Sequence, residues 1–395
     1  MPYTLRGFVF ALFVTSSSFL SAGSATLGWH FLSEMMFFYG SLIGDVPLVH
    51  GREAGQNDGM SADLDQILTQ RGHTAQFEAY VISALFDARG MPAFALGDGT
   101  LRLGTDQTLV QAHEGAILSL AAYPDGGFVT GGDDGRVALT GGDGVTRQLA
   151  AFGSKWVEQI ASFAGKGAML AASTGKNLHL LKPDGEILKT LAHPSTVTGI
   201  AFDAKGKRIA ASHYNGVSLW FTTSGAAVSP KLEWKGSHTG VALHPAGEAL
   251  VTTMQENALH GWTLPEGKHM RMAGYPTKVE SISFTRSGRW LASAGAESVV
   301  LWPFFGGGPM GKAPTELGMG NGIVKRVACH PRHDVVAAGF DTGLVLVADI
   351  ARERVLPVCG PGRGSVSALS WRQDGALLAI GTAEGFAALV DFSTL

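Results

Sequence analysis

His330-Pro331-Arg332-His333 holds the residue types closest to chemistry, because two imidazoles in one short turn are potential metal ligands. A structural zinc needs three or four donors converging on one point. His330 falls at the end of an apolar run, and His333 stands where related stretches carry a turn glycine, so the pair makes no such set. Gly306-Gly307-Gly308 and Gly318-Met319-Gly320-Asn321-Gly322 could offer amides to an anion, but neither has the Lys-Ser/Thr or the following helix of a phosphate loop. No Ser-centred GxSxG and no evident Ser/His/Asp constellation points to hydrolysis. Cys329 and Cys359 form neither a disulfide framework nor a CxxC knuckle, and Cys329 reads as a core-filling free thiol. The expectation is no catalytic residue, no metal and no cofactor.

Recognition is the chemistry the residues favour. Tyr80, Ala116, Trp156, Thr196, Ser237, Lys278, Ile323 and Ser365 hold the same position in eight related stretches, each at the start of a short apolar run. Two aromatics, a cation and a large aliphatic among them resemble the composition of a protein interface. Lys155 beside Trp156 would supply a polar rim. The competing reading is that Tyr80 and Trp156 simply pack on neighbouring loops, since Trp and Tyr are commonly only partly buried. A second candidate is the insertion from Trp302 to Lys312, which carries Phe304, Phe305 and Met310 among glycines and prolines. Burying a side chain of that size is worth about 1.5–3 kcal/mol, so these residues either tuck under a neighbour or dock a partner. The formal net charge of -3 and the lack of any basic run argue against nucleic acid or an anionic membrane surface.

These candidates sit on a repeating scaffold. The stretches read AYVISALFDARG (79–90), AILSLAAYPDG (116–126), WVEQIASFAGKG (156–167), TVTGIAFDAKG (196–206), SHTGVALHPAG (237–247), KVESISFTRSG (278–288), IVKRVACHPRH (323–333) and SVSALSWRQDG (365–375). Each is followed by a second apolar run, such as Arg208-Ile209-Ala210-Ala211, and often by a third, such as Val299-Val300-Leu301-Trp302. Short apolar runs between glycine-rich turns predict strands, and the 54 glycines suit many tight turns. The period of roughly 40 residues is that of a four-stranded propeller blade. The fold expectation is all-β: a β-propeller of four-stranded antiparallel blades, eight by block count, with seven as the alternative.

From about Asp63 onward the chain resembles the WD40-repeat family, on ALGDGTLRL (95–103), TGGDDGRVAL (130–139), YNGVSLW (214–220), AESVVLW (296–302) and AHEGAILSLAAYPDG (112–126). In that family a Gly-His pair, an Asp of the second hairpin and a Trp of the third strand form a hydrogen-bonded cluster. The resemblance puts His73, Asp98, His113, Asp134, His193, Asn215, Trp220 and Trp302 in those places. No block carries the whole pattern: Thr140 stands where Trp is usual, and Asn215 where Asp is.

The last block ends after its third strand, so the missing outer strand should come from the start of the domain. DQILTQRGH (65–73) echoes DQTLVQAH (106–113), and Leu64 to Gln70 is expected to pair with the C-terminal strand. That places the propeller over residues 61–395 and leaves residues 1–60 apart, as a mis-assigned start, a signal peptide or a less fitting membrane anchor. A start near Met60 implies a cytoplasmic protein, and a signal peptide an exported one. The functional expectation is a non-catalytic, monomeric scaffold binding a protein or peptide on its top face. The alternative is a propeller enzyme of hydrolase or lactonase type with a site in the central channel.

Overall fold

The computed structural model describes residues 64–393; the expected separate segment over residues 1–60 lies outside them. A short helix, α1 (Gln66–Arg71), leads into β1 (Gly72–Gln76), which joins the last sheet of the chain. The first sheet is β2 (Val81–Phe86), β3 (Pro92–Leu96), β4 (Thr100–Leu103) and β5 (Thr108–Gln111). The next is β6 (Ile117–Ala122), β7 (Phe128–Gly132), β8 (Arg136–Thr140) and β9 (Thr146–Ala151). Then come β10 (Gln159–Phe163), β11 (Met169–Thr174), β12 (Asn177–Leu181) and β13 (Ile187–Ala192).

A wider sheet follows: β14 (Gly199–Phe202), β15 (Arg208–Phe221), β16 (Leu232–Leu243), β17 (Ala249–Met254), β18 (Ala258–Thr263) and β19 (His269–Ala273). Four-stranded order resumes with β20 (Ile282–Phe284), β21 (Trp290–Ser293), β22 (Val299–Pro303) and β23 (Thr315–Leu317). After it stand β24 (Val324–Cys329), β25 (Val335–Phe340), β26 (Val345–Asp349) and β27 (Arg354–Cys359). The last sheet is β28 (Val366–Trp371), β29 (Leu377–Thr382) and β30 (Phe386–Asp391), completed by β1.

The first strand of each sheet packs beside the first strand of the next, except that β16 rather than β14 of the six-stranded sheet meets β20, and β28 packs beside β2, so the sheets close into a propeller. Burial follows from that arrangement. Middle strands such as β3, β7 and β22 are buried at every residue because neighbouring sheets cover both of their faces. Outer strands such as β13 are mostly exposed. Turns after the first strands need a left-handed residue, which Gly90, Gly126, Gly206, Gly247, Gly288 and Gly375 supply at φ between 64° and 99°. At the seventh block His333 replaces that glycine, and the turn instead folds onto His330, whose Nδ1 accepts the amides of Arg332 and His333 at 3.1 Å each.

Hydrogen bonds between these turns stitch neighbouring sheets together. The His244 Nε2–H group donates to Gly288 O at 2.9 Å, and Asp87 Oδ2 accepts the Gly127 amide at 2.8 Å.

Two expectations are corrected. The strands form seven sheets rather than eight separate four-stranded blades, because the fourth and fifth blocks share one. There β15 folds back at Asn215-Gly216, where Asn215 is left-handed (φ 68°), and the Thr222 amide reaches Lys207 O at 3.0 Å. β16 then runs unbroken from one block into the next, with Ser237 opposite Tyr214 and His238 opposite Met254. The ring-closing strand is also displaced. Gly72–Gln76, not Leu64 to Gln70, pairs antiparallel with Phe386–Val390. Residues 66–71 coil into α1, which buries Leu68 in a cluster with Val358, Cys359 and Phe386. Asp65 fixes the junction by accepting from Arg363 Nη2 at 2.7 Å and from the Gly360 amide at 2.6 Å.

Candidate functional site

The loops that lead into first strands form one end of the propeller, together with the turns between second and third strands. Several are held by a side chain four residues ahead of a fully buried anchor. Phe77, His113, His193 and Tyr275 stand in this relation to Val81, Ile117, Val197 and Val279, all 0% exposed.

His113 donates from Nδ1 to Asp134 Oδ1 at 2.9 Å, and its Nε2 meets Thr130 Oγ1 at 2.8 Å. Burial alone would raise the Asp134 carboxyl. The bonds from His113 and from the amides of Arg136 and Glu114 outweigh it and hold the group below its ordinary value. At His193 the acceptor is Nε2, which takes Trp220 Nε1–H at 3.0 Å, while Nδ1–H donates to Lys176 O at 3.2 Å. Burial, helped by nearby His213, pushes that imidazole down to about 4.

Tyr275 is the residue that sequence reasoning missed. Its hydroxyl receives Trp302 Nε1–H at 2.6 Å and bonds Ser293 Oγ at 2.6 Å, giving Trp302 a phenol where the family pattern has an imidazole. Burial pushes the phenol up to about 12. The signal was the Gly274-Tyr275 pair, four residues before buried Val279. Phe77, four residues before buried Val81, was missed as well. Its ring lies 6.0 Å from Phe94, and the Arg102 guanidinium stands 5.1 Å above it.

Three assignments drawn from the resemblance are corrected. His73 is exposed on β1 opposite Leu389, four residues short of the position Phe77 fills. Asp98 is exposed and bonds the amide and hydroxyl of Thr100, at 3.0 and 2.7 Å. Asn215, left-handed at φ 68°, accepts the Gly236 amide at 3.2 Å, while His193 bonds Trp220 and Lys176 O.

The predicted rim residues fall just ahead of buried anchors, but one cleft does not gather them all. Trp156 is 57% exposed and Tyr80 44%, while Lys278 and Ile323 are half-buried. Lys155 and Trp156 line a cleft of about 600 Å³ with Glu158, Thr174 and Lys176. Glu158 Oε2 is buried without a hydrogen-bond partner among the described residues, and burial raises its carboxyl above the ordinary value. Lys278 lines a separate space of about 420 Å³ beside Glu280 and Arg326. Burial opposes ionisation of Glu280, yet Lys325 at 2.8 Å and Arg326 at 3.4 Å keep it below its ordinary value. Tyr80 and Ile323 line neither space.

The Phe304-Phe305 insertion joins third and fourth strands, so it belongs to the opposite end of its sheet. Phe304 turns inward, edge-on to Phe284 at 5.0 Å, which removes it from the candidate docking residues. Phe305, 39% exposed, is held by Trp290 at 5.3 Å and by the Arg289 and Lys312 cations at 5.1 and 5.0 Å. The insertion thus pins itself with its own aromatics. The His330 nitrogens are both engaged, since Nε2–H donates to Gly375 O at 3.3 Å while Nδ1 accepts the turn amides. Burial pushes the Cys329 and Cys359 thiols up to about 12 and about 11.

Comparison with known proteins agrees with this architecture. The family model "WD domain, G-beta repeat" matches residues 104–143 and 185–220, and that of the anaphase-promoting complex subunit 4 WD40 domain matches residues 327–394. Among curated proteins, mouse (Mus musculus) telomerase protein component 1 is 25% identical over 195 residues. The match covers 47% of this chain and only 7% of that protein's length. Among solved structures, the computationally designed Ika8 protein superposes with a TM-score of 0.68 at 17% identity, covering 80% of this chain and 98% of the design. That likeness is one of fold alone. The repeating strand-turn-strand blocks, the imidazole and phenol knots and these two matches support a WD40-repeat family for the chain, carried by residues 104–143, 185–220 and 327–394.

Proposed function

We propose that this propeller is a protein-interaction scaffold and that a protein or peptide segment binds in the cleft at Trp156. WD40 propellers generally bind proteins and are generally not enzymes. The observation that carries the reading is Trp156 itself, 57% exposed beside a cleft of about 600 Å³. Its neighbours Lys155, Lys176 and the uncompensated Glu158 carboxylate supply polar contacts around an aromatic anchor. Interfaces draw most of their binding energy from a few such anchors, Trp foremost.

Affinity capture from the source cell, with partners identified by mass spectrometry, tests this. The Trp156→Ala/Tyr80→Ala double variant should lose the principal partner while melting like the parent. Undiminished capture would refute the cleft, and loss of folding would make both residues structural.

We further read the six-stranded sheet as two repeats in one hydrogen-bonded unit, giving eight repeats around the axis. Supporting this, β15 is a hairpin in itself, and β14 and β16 each pack beside a first strand of an adjacent sheet. A density map viewed down the axis, showing seven equal spokes, would reject it.

A further inference from the structure

We propose that the opposite end of the propeller carries a second recognition groove, suited to a peptide segment in which acidic and apolar residues alternate. The groove spans about 1400 Å³ and crosses the turns at Arg286, Arg332 and Asp374 and the hairpin at Arg352. Small-molecule sites run to roughly 300–1,000 Å³, so a length of chain fits better than a metabolite.

Its floor is apolar and already ordered. Trp371 donates from Nε1 to Ala328 O at 3.0 Å and meets Phe392 edge-on at 5.1 Å, with Val335 and Leu356 beside them. A floor fixed before binding costs little further ordering.

The rim is cationic for a specific reason. Two of the three carboxylates in the groove are paired with arginines, Asp349 with Arg352 at 2.8 Å and Asp374 with Arg372 at 2.7 Å, while Asp334 accepts only the Ser287 hydroxyl at 2.8 Å. Arg286, Arg332 and Arg354 are exposed, and none of them pairs with a carboxylate among the described residues. Three free guanidinium groups above an apolar floor complement carboxylates spaced along a peptide. A nucleic acid fits less well, because the apolar floor offers little to a charged backbone. This groove lies at the other end from Trp156 and does not depend on that cleft.

Fluorescence anisotropy on the full chain tests the proposal. The probe is a fluorescein-labelled peptide of alternating Glu and Leu. Comparison probes are the same peptide with Lys for Glu and an oligothymidylate of equal charge. The acidic peptide should bind saturably and more weakly as salt rises. The R286E/R332E/R354E variant should weaken it at least about tenfold. Arg332→Glu alone, in a turn otherwise unchanged, should move in the same direction, and Trp156→Ala should leave binding unaltered. Absence of saturable binding, equal binding by the charge-reversed variants, or preference for the oligothymidylate would overturn the groove.

Discussion

At Tyr275 a phenol does what imidazoles do at His113 and His193: it bridges a loop to the strands below it. Its partners, Ser293 Oγ and Trp302 Nε1, are enclosed with it. Tyr275→Phe removes the shared oxygen and leaves a buried indole N–H without an acceptor, a loss of about 1–3 kcal/mol in denaturant unfolding. The pH response carries its own sign. An unfolded tyrosine ionises near 10.0, whereas Tyr275 stays neutral to about 12, so its contribution is full below pH 10.0 and is lost as pH climbs through 12. His193 runs the other way. Its ordinary value is 6.5 and its folded value about 4, so its contribution is full above pH 6.5 and is lost as pH falls toward 4. Melting temperatures across pH should therefore decline on both flanks, and Tyr275→Phe should flatten the alkaline one. An unaltered alkaline limb would show that Tyr275 is not the group responsible.

Among the elements, α1 and β1 show where sequence resemblance misleads. DQILTQRGH and DQTLVQAH share letters, yet the first makes a helix and the second contributes β5. The difference is physical. The stretch after Asp106 has β-branched Thr108 and Val110 and sits beside β4, while Leu68 of the first finds a pocket on β27 and Gln, Leu and Arg tolerate helix well. Strand closure by an N-terminal segment was legible because the last block lacks an outer strand; the identity of that strand was not, since it depends on where Asp65 meets Arg363. Asp65→Ala should leave Arg363 Nη2 and the Gly360 amide without their acceptor and lower the melting temperature measurably. Deleting residues 64–76 should do more, exposing the edge of β30 and promoting association visible by size-exclusion chromatography. A monomeric deletion variant of unchanged stability would contradict this account of closure.

On the scale of the whole molecule, the repeat period made the architecture readable before any geometry, because buried strands recur in every block and turn glycines in all but the one with His333. The union of two blocks in one sheet was not readable. Tyr214-Asn215-Gly216 looks like any other turn, and the blocks are joined by β16, which pairs with β15 at one end and with β17 at the other. Likewise the rim positions were visible as a series, but which of them share a cleft depends on loop shape. Trp156 and Lys155 share one; Tyr80, Lys278 and Ile323 do not join it. With the proposed cleft at one end and the proposed groove at the other, the ring would be a platform for more than one chain. The most direct measurement is calorimetric titration of the principal captured partner into the parent protein and into Trp156→Ala. Loss of roughly thirtyfold in affinity or more, with unchanged melting, is the predicted result. Equal affinity for both proteins would contradict the central claim.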